Sequence, residues 1–132
     1  MKNNLSLVAI CCFMLFSFTK TDIQEVWKAP AEAKKLKNPV SESGLKKSAK
    51  KGGKIFNSYC VLCHGDQGKG DGPGAKALDP KPANLTSKRV QDQVDGEIFW
   101  KITNGRGAMA QWKNIISEED RWNLVNYIRT LN

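Results

Sequence analysis

Apolar positions gather in four places along the chain. The first is a run from Leu5 to Phe18, preceded by Lys2 and followed by Thr19 and Lys20, which is the order of a secretory signal. As a helix, this stretch would reach about 21 Å against a hydrocarbon core of about 30 Å. Removal as a signal peptide is therefore favoured over retention as an N-terminal membrane anchor, although the small-residue site near Ser17 is weak. Ile10 before Cys11 argues against lipid attachment at that cysteine.

The second group lies in "GLKKSAKKGGKIFNSY", where Leu45, Ala49, Ile55, Phe56 and Tyr59 recur at three- and four-residue steps. That spacing predicts an amphipathic helix weakened by Gly52 and Gly53. In "DGEIFWKITNG", Ile98, Phe99 and Ile102 share a helical face, and Asn104-Gly105 is a stop signal after about two to three turns. The fourth group starts at Ser117, an N-cap with Asp120 three residues on and carboxylates in the first turn. Its inner face is expected to be Leu124, Val125, Ile128 and Leu131, with Trp122 and Tyr127 flanking.

Between the second and third groups runs "HGDQGKGDGPGAKALDPKPANLTS", with five Gly and three Pro, which excludes a long helix or a regular strand. No alternating strand pattern of useful length follows the leader. The expectation is an all-α domain of a few helices and irregular loops, with a core thin enough to need a staple such as a metal or cofactor.

Composition changes this picture in one respect. The net charge of +8 over 132 residues invites a nucleic-acid reading, but residues 1–51 carry 10 Lys and 4 Asp+Glu, whereas residues 52–132 carry 11 Lys+Arg and 9 Asp+Glu. The excess thus lies in a Lys-rich stretch, read as a tether or arm over 20–51, where Trp27 argues for some order. It suits a solvated tail, anionic lipid headgroups or an acidic docking partner. No aromatic-interleaved basic stripe or phosphate-binding glycine loop supports a nucleic-acid partner.

The chemistry concentrates in "NSYCVLCHGD". With Cys11 and Cys12 in the leader, Cys60 and Cys63 are the remaining cysteines, and His64 is the only histidine. Structural zinc needs about four ligands, more than this inventory offers. A thioredoxin-like pair belongs beside a βαβ pattern, and no strand signal precedes Cys60. Cys-x-x-Cys-His is the attachment sequence for c-type haem: two thiols add to the vinyl groups and the adjacent imidazole ligates the iron. By elimination the second axial ligand is Met109, since Met1 and Met14 lie in the leader. Gly105 and Gly107, in "NGRGAMAQW", would bend its loop towards the iron.

Over roughly residues 45–131 the sequence resembles a class I cytochrome c of the small monohaem type, also found with respiratory oxidases. The resemblance implies a cytochrome c-like fold wrapped around one covalently attached haem; with the charge split at Gly52, the domain is assigned to residues 52–132, preceded by the arm and by residues 1–19 as leader. It pairs Gly52 and Phe56 on the first helix with Leu124 and Tyr127 on the last. It also implies a proline carbonyl as acceptor for His64 Nδ1–H, with Pro73 the first candidate and Pro80 and Pro82 the others. Many relatives have proline after the ligand methionine; Ala110 stands there and leaves the loop less stiff.

The implied function is electron transfer, not bond making, in an exported or membrane-facing location, between redox proteins such as a terminal oxidase or other respiratory complex, with no small-molecule substrate. The alternatives are a haem that binds ligands, senses or catalyses by displacing Met109, and an accessory electron-transfer subunit of a larger complex.

Overall fold

The computed structural model describes residues 27–131. The leader, 1–19, lies outside them. Five α-helical segments follow one another: α1 (Leu45–Tyr59), α2 (Val61–His64), α3 (Lys88–Gln91), α4 (Asp95–Asn104) and α5 (Glu118–Ile128). Among the described residues there is no β-strand, only an isolated bridge between Arg106 and Met109. No helix among them is long and apolar enough to cross a membrane.

The frame is the crossing of α1 over α5. Each glycine in mid-helix costs about 1 kcal/mol of helix propensity, and Gly52 shows what offsets it. A Cβ at that position would lie 1.9 Å from the Asn123 carbonyl oxygen and 2.9 Å from Tyr127 Cβ, so the two backbones approach as closely as they do only because the side chain is missing. One turn on, the Phe56 ring packs 5.1 Å from that of Tyr127. The resemblance is right about Tyr127, but the group facing Gly52 is Asn123. Leu124 is fully buried in the core cluster that also holds Phe56.

The face expected of α1 shifts accordingly. Ser48, Gly52 and Phe56 are buried, whereas Leu45 and Tyr59 are exposed. Packing selected the small residues at four-residue steps because they admit α5. On α5, Ser117 Oγ accepts the Asp120 N–H at 3.1 Å as expected, but every residue from Arg121 to Asn126 is buried, not one stripe alone. The helix is enclosed by α1 on one side and α4 on another, with Phe99 stacked on Trp122 at 4.0 Å. At the start of α4, the Glu97 carboxylate accepts the Val94 N–H.

Residues 27–44 are not a free tether. A short 3-10 turn, Ala31–Lys35, lies on α4, with Ala33 buried and its carbonyl at the space a Cβ on Gly96 would need. Asn38 Nδ2 donates to Asp95 Oδ2 at 2.9 Å and to Asn126 Oδ1 at 2.6 Å. Asn126 donates to Ser48 Oγ, and Ser48 donates to Asn123 Oδ1, so one buried polar seam joins arm, α1, α4 and α5. Buried polar groups are expensive unless paired, and this pairing specifies how the four pieces meet. The charge-based boundary at 51/52 falls inside α1, which begins at Leu45, so the Lys-rich stretch is partly arm and partly helix.

Candidate functional site

The end of α1 delivers the chain into α2, a single turn whose amides bond back on themselves: His64 N–H donates to Cys60 O at 2.8 Å and Cys63 N–H donates to the same oxygen at 3.2 Å. This turn places Cys60, Cys63 and His64 together, half-buried, with both thiols free. Burial pushes the Cys60 thiol up to about 12, with Cys63 beside it adding to the effect. A thiol-redox pair works through a lowered thiolate pKa, so the environment opposes that chemistry.

His64 Nδ1 lies 3.1 Å from the Ala83 carbonyl oxygen. A carbonyl only accepts, so Nδ1 carries the proton and Nε2 keeps its lone pair for a metal. Burial holds His64 below the ordinary imidazole pKa, the Ala83 bond opposing it, which favours the neutral ring that can ligate. The expected proline acceptor is therefore corrected: none of Pro73, Pro80 and Pro82 accepts this bond. Ala83 directly follows Pro82, and a backbone acceptor leaves no side-chain signal by which to choose among neighbours.

The glycine-rich stretch after His64 is what brings Ala83 to the ring. Gly70 N–H donates to His64 O at 2.8 Å, Gly72 N–H to Cys63 O at 3.2 Å, and Leu85 N–H to Gly68 O at 2.7 Å. Gly70 has φ +79°, and a Cβ there would sit 2.3 Å from Pro82 O. Only glycine permits the two limbs of the loop to lie so close.

Met109 stands apart in sequence, on a tight turn after α4. Arg106 and Met109 exchange N–H···O bonds of 3.0 Å each, with Gly107 at φ +57° between them. Met109 is partly buried against the hydrophobic core, which Cys60 also joins. Two aromatic contacts fasten this region, one of them the order expected of Trp27 and the other unexpected. Trp112 meets Tyr59, the residue before Cys60, edge-on at 5.5 Å, and Trp27 of the arm meets Trp100 at 6.1 Å. Among the described residues no group of three or more His, Cys, Asp and Glu forms a metal cage. Two thiols and an imidazole whose Nε2 keeps its lone pair, held together on one turn, are by contrast groups that fit haem c.

A helical frame without strands, crossed at a glycine and carrying this turn, defines a small class I c-type cytochrome. The family model described as cytochrome c oxidase, cbb3-type, subunit III matches residues 47–128, and the chain belongs to that family. Cytochrome c6 of Leptolyngbya boryana is 35% identical over 77 residues, covering 58% of this chain and 85% of that protein. The cbb3-type cytochrome c oxidase subunit FixP of Azorhizobium caulinodans is 34% identical over 91 residues, 64% of this chain but only 27% of FixP. Among solved structures, a c-type cytochrome named KustC0563 superposes with a TM-score of 0.52 at 25% identity, over 61% of this chain and 96% of that one. A chain of the Kuenenia stuttgartiensis reducing HAO-like protein complex shares the fold at a TM-score of 0.61 and 23% identity, over 73% of this chain and 49% of that one. The cofactor is accordingly haem c, held covalently, for which Cys60 and Cys63 are the available thiols.

Proposed function

We propose that the protein is an electron carrier in which Cys60 and Cys63 hold one haem c, and His64 and Met109 are its axial ligands. When bound, the haem supplies a one-electron iron couple that needs no bond change in a substrate. The residues then orient and tune. Ala83 keeps the His64 ring in one tautomer, and the thioether of Met109 favours a higher reduction potential than a second imidazole would. The observation that carries this reading is the His64 Nδ1–Ala83 bond beside two free thiols, which leaves Nε2 as the ring's open donor.

The proposed partners are redox proteins on the outer face of a membrane or in the compartment beyond it, with residues 1–19 as the export segment or anchor. A terminal oxidase is one such partner, consistent with the oxidase subunits among the relatives. The outer face of α1 supports an acidic docking partner: Lys46, Lys47, Lys50, Lys51 and Lys54 are all exposed and lie opposite the buried Ser48, Gly52 and Phe56. Of these five, Lys51 is the one bridged to a carboxylate, that of Glu119. Such attraction weakens with salt.

The visible spectrum of the dithionite-reduced protein, before and after carbon monoxide, tests the reading. An unchanged low-spin c-type spectrum supports a closed His64–Met109 pair and a carrier. A rapid shift overturns that pair and turns the assignment to ligand binding, sensing or catalysis.

A further inference from the structure

Trp27, in the arm, makes a contact that stands apart from the crossing of α1 and α5. Trp27 packs edge-on against Trp100 of α4, and the guanidinium of Arg106 lies over the same indole, 5.0 Å from its centroid, with the Lys101 ammonium at 5.7 Å. Arg106 is the residue whose backbone N–H and C=O both bond Met109. From Trp27 to Met109 there are thus two links: indole to guanidinium, then peptide to peptide.

We infer that Trp27 is a positioning residue, and that residues 27–38 form a strap that holds the Met109 turn closed. Three observations carry this. The strap is anchored independently at its far end, by Ala33 beneath α4 and by Asn38 bonded to Asp95 and Asn126, so Trp27 is delivered to its place and not merely left there. The turn it touches through Arg106 is closed by two backbone bonds, with open space where a Cβ on Gly107 would stand and Ala110 in place of a stiffening proline. The strap also lies outside residues 47–128, the stretch matched to the family, so the family match itself implies no role for it.

The two cations on one indole add a constraint. Burial lowers the Lys101 pKa, and the neighbouring Arg106 and Arg89 charges push it the same way against the pull of Glu97. Both cations are attracted to the same indole, so removal of the ring frees Arg106 to move away from Lys101 and take the turn with it.

This inference rests on Met109 ligation for its effect on the iron but not for its effect on the turn, and the test separates the two. In the haem-loaded full chain, imidazole is titrated against the ferric protein, and amide hydrogen exchange is followed at Arg106 and Met109. Trp27→Ala is expected to raise imidazole affinity about fivefold, the factor that loss of a contact of this kind corresponds to. It is also expected to speed exchange of the Met109 amide, while Trp27→Phe, which keeps a ring face, restores both. If Trp27→Ala leaves the exchange of both amides unchanged, the strap is overturned. If Met109→Ala binds imidazole no better than the parent, Met109 ligation has failed, and the exchange rates alone decide for or against the strap.

Discussion

On the His64 side of the site, the chain is held by its own backbone. Gly70 and Gly72 donate to His64 and Cys63, Gly68 accepts from Leu85, and the imidazole itself is fixed by a carbonyl. On the Met109 side the backbone bonds are local, Gly105 to Lys101, Arg106 with Met109 and Ile116 to Trp112, and the contacts named above that reach other parts of the chain are side chain against side chain, Trp112 on Tyr59 and Arg106 on Trp27. Backbone bonds survive substitution of the residues that make them, provided the chain keeps its path. Side-chain contacts go with one substitution. The imidazole is therefore expected to be insensitive to sequence change around it except at its glycines, and the thioether side to be adjustable one residue at a time.

The sharpest break of this comparison is Gly70→Ala. It combines a left-handed backbone with a Cβ driven onto Pro82 O, and a loss of about 3 kcal/mol or more is expected in chemical denaturation of the haem-loaded protein. Next is Trp112→Ala, which removes the ring that joins the Met109 side to Tyr59. A loss of about 1–2 kcal/mol, with easier displacement of the proposed Met109 ligand by imidazole, is expected; loss of stability without any change in ligand access would place Trp112 in the frame and not in the site.

Gly107→Ala has a similar φ to Gly70→Ala but open space around the new methyl, so about 1 kcal/mol is expected. Equal losses at Gly70 and Gly107 would show that backbone angle alone matters, and the contrast between the two sides would fall. The smallest effect belongs to Glu119→Gln, remote from both. The hydrogen bond from Lys51, with attraction to the same carboxylate, holds the lysine above its usual 10.5. A group with a raised folded pKa stabilises below its unfolded pKa and loses that contribution as pH climbs through the folded one. The small deficit of the variant should be present at neutral pH, fade above that raised pKa, and shrink in high salt, as denaturation curves across pH would show.

Some of this architecture is legible in residues taken one after another. The helix α4 and its stop at Gly105, the Ser117 cap and the Cys60–Cys63–His64 turn are local: each depends on residues within a few positions, where covalent geometry limits the choices. The haem-attachment motif is legible for the same reason, since its chemistry needs only adjacent groups, and its class-level reading is supported by the family match.

What escaped the sequence is what depends on a partner far along the chain. Ser48, Asn123 and Asn126 look like surface residues until the crossing of α1 and α5 buries them together, because a hydrogen-bonded pair can go where a lone polar group cannot. The acceptor for His64 is a peptide oxygen, and every residue has one, so no residue type could mark Ala83 in advance. The lysine-rich arm reads as a tether by composition, yet Ala33, Asn38 and Trp27 fasten it to the frame, because three well-placed contacts outweigh a polar average. Residue identity alone determined the chemistry of Cys60, Cys63 and His64; the tertiary structure decided what orients it, since orientation comes from groups that only folding brings within bonding distance.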